Sequence, residues 1–151
     1  MKTILAAIDF RGAGEQILHL SLRMARAFEA RVYLLHVEAP PRDAVGLEPG
    51  RPQVRERREP DALTHHQQLE VFREWLKEEG IEAHALLIEG PTVRKVLDEA
   101  ERLGVELIIL GSRRHGPLYE LFRGSICEGI VRNACCPVLL VPEQFKGAAR
   151  D

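Results

Sequence analysis

The residues with most to offer chemistry lie in one stretch, "GSRRHGPLYELFRGS", Gly111 to Ser125. Its glycines, Gly111, Gly116 and Gly124, lack a Cβ, so the backbone can approach a ligand closely. Gly124 and Ser125 open a helical pattern, "ICEGIVRNA". Free N–H groups and the helix dipole attract an anion at such a point, and the Ser125 hydroxyl can cap the helix or bind a phosphate oxygen. Arg113, Arg114, Arg123 and His115 make the stretch cationic in a chain of net charge -2. Asp9, just after the apolar run "KTILAAI", is a carboxylate that can accept from a ribose hydroxyl or help hold Mg²⁺ on a phosphate chain. Plainer roles stand beside these. Gly-Ser is a common helix cap, an Asp often starts a turn, and the arginines can be solvated or pair with Glu120 or a dimer partner.

Other chemistry is less well supported. No Gly-Lys-Ser/Thr follows a glycine loop, so there is no Walker A motif, and "DFRGAG" is spaced wrongly for a Rossmann fingerprint. No nucleophile–base or acid–base pair is evident, so any nucleotide hydrolysis, with Asp9 and a metal, is expected to be slow. His65 and His66 are adjacent on a helical pattern, where side chains diverge by about 100°, and no third ligand is near in sequence. They read as a solvated face, and no tightly bound metal is expected. His36 reads as a strand-end residue over a pocket, able to touch a ligand. Cys127, Cys135 and Cys136 form no disulfide framework and no zinc spacing; they read as buried small residues. Phe72 and Trp75 read as core or interface packing.

With 151 residues, 45% hydrophobic and 29% charged, the chain is long enough for a single domain with its own core, read as 1–151. The charge balance argues against a nucleic-acid partner, as does the mixed-charge run "RERRE". The longest aliphatic runs are too short to span a bilayer, and Asp9 interrupts the N-terminal one, so a cytoplasmic protein is expected.

Apolar runs of strand length and helical stripes alternate along the chain. The strands are "KTILAAI", "RVYLLHV", "IEAHALLI", "VELIIL" and "CPVLLVP". The helical patterns begin near Gly14, Asp61, Gly90 and Ile126; a Pro- and Arg-rich segment at about 38–60 reads as a mobile loop. This alternation predicts an α/β fold with a doubly wound, flavodoxin-like five-stranded parallel sheet, order 3-2-1-4-5, and helices on both faces. Ligands in such sheets bind beyond the carboxyl ends of the strands where the winding reverses. Here that crevice lies between the first and fourth strands, where Asp9 meets the stretch from Gly111.

Together, "ILAAIDF", "RVYLLHV", "GVELIILGS" and "GSICEGIVRNACCPVLLVP" resemble the universal stress protein family over the whole chain. The resemblance implies the same adenine nucleotide alpha hydrolase-like fold, cytoplasmic action in stress response, and a homodimer built on the last strand, Val138, Leu139, Leu140 and Val141. Nucleotide-binding members carry G-x2-G-x9-G-[S/T]. In this chain Gly111 and Gly124-Ser125 fit, but the middle position is Arg114, and a glycine occurs only at Gly116. By the same resemblance Ala7, Asp9, Val37, Leu110, Gly111, Gly124, Ser125 and Ile126 line a site for ATP or a related nucleotide, which Mg²⁺ can accompany. Arg114 either holds the phosphates through charge-assisted bonds or blocks them. In the second case the protein is an interaction or scaffold module with an unidentified protein partner.

Overall fold

The computed structural model describes residues 1–10, 12–38, 63–112 and 126–143. Five strands and four helices alternate: β1 (Thr3–Ala7), α1 (Gly14–Phe28), β2 (Arg31–Glu38), α2 (His65–Glu78), β3 (Ala83–Glu89), α3 (Thr92–Arg102), β4 (Leu107–Ser112), α4 (Ile126–Asn133) and β5 (Val138–Pro142). All pairings are parallel, and the strand order is β3-β2-β1-β4-β5, as expected from the alternation.

Two apolar layers cover the sheet. On one face Ile4, Ala6, Val32, Leu34, Leu107 and Ile109 pack against Ile17, Leu22 and Ala25 of α1 and Leu69 and Leu76 of α2. On the other, Leu5, Leu35, Ile108 and Leu110 pack against Val96 and Ala100 of α3 and Ile130 of α4. Residues 107–110 of β4 are all buried, as the unbroken aliphatic run predicts for a strand covered on both faces. The helical stripes are narrower than the sequence suggests. Phe28 of α1 and Ile126 and Val131 of α4 are 42%, 51% and 48% exposed, and Cys135 is exposed rather than buried.

Two strands begin later than their apolar runs, for one reason. Val105 N–H donates to the Ala100 carbonyl and Gly104 N–H to that of Glu101, a Schellman closure of α3 with Gly104 at φ 61°. Ile81 and Gly80 (φ 84°) close α2 in the same way on Leu76 and Lys77. Val105 and Ile81 therefore serve as helix caps, and β4 starts at Leu107 and β3 at Ala83. At its other end α2 is fixed by a capping box: Thr64 Oγ1 accepts from Gln67 N–H, and the Gln67 side chain accepts from Thr64 N–H. Pro137 stands just before the edge strand β5, where its missing N–H is tolerated. Among the described residues no helix is long and apolar enough to cross a membrane.

Candidate functional site

β1 pairs with β2 on one side and β4 on the other, with Ala7 level with both Leu35 and Leu110. The winding thus reverses between β1 and β4; β1 ends at Ala7, while β2 and β4 run on to Glu38 and Ser112. Ile8, Asp9 and Phe10 lie just past the end of β1. Gly12 N–H reaches back 3.4 Å to the Asp9 carbonyl, closing a turn that leads into α1. Asp9, Gly12, Ala13, Ile17, Gly111, Ser112 and Glu143 line a depression of about 20 Å³, room for roughly one water.

Of the residues expected here, Ala7, Val37 and Leu110 share the sheet face that carries α3 and α4. Val37 lies toward the end of β2, level with Ile88 of β3. Ile126 is exposed at the first position of α4. The next residue, Cys127, docks that first turn on the sheet: its thiol donates to the Gly111 carbonyl at 3.3 Å. Burial pushes the Cys127 thiol pKa up, which keeps it a neutral donor. Arg114, Gly124 and Ser125 lie outside the described residues.

Gly111 has a different physical reason from the one the sequence suggests. It is an extended residue of β4, level with Val141 of β5. A Cβ there would meet Ala13 Cβ at 3.3 Å and Ile17 Cδ1 at 3.4 Å. The close approach that demands glycine is that of α1 to the sheet. Gly12 is less constrained: a Cβ there would stand 2.9 Å from Glu143 Oε1, the end of a flexible side chain that can swing aside.

Glu143 is the residue that sequence reasoning missed. It immediately follows β5, the neighbour of β4, so extending the strand-end argument one strand outward would have found it. It and Asp9 are the two acidic residues lining the described part of the crevice. The arginines of the sequence motif fall in 113–125, outside the described residues.

His36 is also at these strand ends, but on the opposite face from Val37. Its Nδ1 lies 2.7 Å from the Ile8 carbonyl, tying the end of β1 to β2. His65 is not simply solvated: its Nδ1 is 3.1 Å from Glu38 Oε1, and its ring stacks on Phe10 at 5.0 Å. A larger concavity, about 400 Å³, lies at the other end of the sheet between the C-terminal ends of α1 and α2. It is edged by Arg26 and Glu79, which pair with each other, and holds none of the motif residues.

The comparisons with known proteins agree with this architecture. The Universal stress protein family model matches residues 1–142. A universal stress protein of Thermus aquaticus is 32% identical over 141 residues, 93% of this chain and 98% of that protein. Universal stress protein MJ0531 of Methanocaldococcus jannaschii is 25% identical over 127 residues, 83% of this chain and 73% of that protein. Among solved structures, a universal stress protein from Archaeoglobus fulgidus has a TM-score of 0.72 at 20% identity over 94% of this chain, which spans only 44% of that longer one. A universal stress protein in complex with cAMP has a TM-score of 0.68 at 14% identity, covering 94% of this chain and 97% of that one.

The packing explanation for Gly111 is directly testable. Gly111→Ala is expected to cost about 1–2 kcal/mol in denaturant unfolding, because a packed contact must open. Adding Ala13→Gly, which removes the opposing Cβ, is expected to recover part of that loss; an additive double mutant would contradict the packing account. From its sequence and its fold together, the chain belongs to the Universal stress protein family.

Proposed function

We propose that the protein binds an adenine nucleotide in the crevice between β1 and β4 and works as a regulatory homodimer in the cytoplasm during stress. The observation that carries this reading is that the ends of β1 and β4 come together at the winding reversal, Ala7 level with Leu110 and Asp9 and Gly111 lining one depression, with the first turn of α4 anchored there through Cys127. Backbone N–H groups at the start of α4 and the Gly124-Ser125 pair would receive the phosphates, while Ala7 and Val37 would lie against the base. The similar structure in complex with cAMP supports an adenine nucleotide as the ligand class.

Electrostatics sharpen the expected ligand. Asp9 and Glu143 both border the described crevice, and two carboxylates repel a bare polyphosphate. A divalent cation on the phosphates reverses that sign. ATP with Mg²⁺ is therefore the favoured form. The alternative, an interaction module whose pocket is closed, is favoured by one observation: Arg114 stands at the motif's middle glycine.

Calorimetric titration with ATP, with and without Mg²⁺, separates these readings. Saturable binding is expected, strengthened by Mg²⁺ and weakened about 10-fold or more in Gly124→Asp, which sets a carboxylate among the phosphates. In Glu143→Gln the dependence on Mg²⁺ is expected to fall. No heat at millimolar ATP, restored by Arg114→Gly, would decide for the closed pocket.

For the dimer, β5 supports the reading by its position at the end of the strand order. Ile108 N–H donates to the Pro137 carbonyl, and Ile108 is level with Val138. In a parallel ladder this register turns the N–H groups of Leu139 and Val141 toward β4 and those of Val138 and Leu140 outward. Leu139 and Val141 belong to the layer under α1 and α2, and Val138 and Leu140 to the layer under α3 and α4. The outward N–H groups are those that would pair with a second copy across a two-fold axis. Leu140→Pro removes one of them and spares the β4 ladder. It is expected to shift the protein from dimer to monomer in light scattering while its helical circular dichroism persists. A dimer unchanged by Leu140→Pro would place the interface elsewhere.

A further inference from the structure

The face of the sheet opposite Val37 carries a second cluster whose chemistry the nucleotide reading does not use. His36 and Glu38 are two residues apart on β2, so strand geometry turns both to the face covered by α1 and α2. The capping box at Thr64 sets the first turn of α2 over that face and brings His65 to them. The three side chains each offer a ligand atom, and these atoms lie within 4.8 Å of one another.

We propose that His36, Glu38 and His65 form a binding site for a divalent transition-metal ion of the Zn²⁺ class. The distances suit such an ion. Glu38 Oε1 and His65 Nδ1 are 3.1 Å apart, close to the roughly 3.3 Å that separates two ligands of a tetrahedral ion held at about 2.0 Å. His36 has the orienting partner that metal-binding histidines require. Its Nδ1 lies 2.7 Å from the Ile8 carbonyl, an acceptor only, so Nδ1 carries the proton and Nε2 keeps its lone pair. Phe10 holds both rings, stacked on His65 at 5.0 Å and tilted against His36 at 4.9 Å, which lowers the entropy cost of ordering them.

Two imidazoles and one carboxylate select a borderline ion such as Zn²⁺ or Co²⁺ over Mg²⁺, which prefers oxygen alone. The site is reachable: the side chains of His65 and Glu38 are 43% and 45% exposed. Three protein ligands leave a fourth position for water or an anion. This inference does not rest on the nucleotide reading: His36, Glu38 and His65 do not line the depression at Asp9 and Gly111, and Val37, Ala7 and Leu110 belong to the other face.

The test uses the full chain, stripped with a chelator and titrated with Zn²⁺ against a chromophoric competitor, and with Co²⁺ followed by its visible d–d bands. One ion per chain is expected, with the intense bands of tetrahedral Co²⁺ and no displacement by millimolar Mg²⁺. Glu38→Gln and His65→Gln are each expected to weaken Zn²⁺ binding by about 10-fold or more, with unchanged circular dichroism in chelator. Cys135→Ser with Cys136→Ser is expected to leave binding intact. The proposal is overturned by no saturable uptake, by Glu38→Gln and His65→Gln binding as tightly as the parent, or by binding that disappears with the two cysteines.

Discussion

Everything at the candidate site depends on the way β1 is held. Its residues from Ile4 to Ala7 are paired on both edges, by β2 and β4, and the strand is covered on both faces, so Ile4, Leu5 and Ala6 are fully buried. A strand so enclosed cannot slip by one residue, because the slip would exchange the side chains that fit the two layers. Its register places Ala7 level with Leu35 and Leu110, and its end is fixed again by the Ile8 N–H bond to Leu35 and the His36 ring on the Ile8 carbonyl. Asp9 and Phe10 emerge from this point, one toward the crevice shared with β4 and the other onto the histidines beside β2.

The same constraint explains why glycines gather here. α1 starts only a few residues after β1 ends, so its first turn must lie close over the sheet. Gly111 gives way to Ala13 and Ile17, and Gly14 to the Asp9 carbonyl, where a Cβ would stand 3.3 Å away. A motif glycine can therefore serve the scaffold and the ligand at once: the Gly111 carbonyl is also the acceptor that anchors the first turn of α4.

Periodicity and alternation made the fold legible, because burial of β4 on both faces and the stripe of α3 leave their mark locally in the chain. Element ends were less legible. Val105 and Ile81 look like strand residues by type, and only the backbone bonds of the helix closures show their other role. The crevice could be located from strand order, yet Glu143 escaped notice because it is an ordinary acid after a proline. The His36–Glu38–His65 cluster was the least legible. Its members are split between a strand and a helix with residues 39–62 intervening, and neither half carries a metal spacing of its own. Adjacent His65 and His66 drew attention as a pair, although His65 finds its partners across the sheet face instead.

The central claim is that the strand reversal between β1 and β4 is a nucleotide site. It is tested most directly by assigned amide NMR spectra of the protein during titration with Mg²⁺-ATP. The account predicts saturating shifts at Asp9, Val37, Gly111 and Ile126, with little change at Gly80 and Gly104, at the opposite ends of the helices. Saturating shifts confined to that opposite end, or none at millimolar nucleotide, would contradict it.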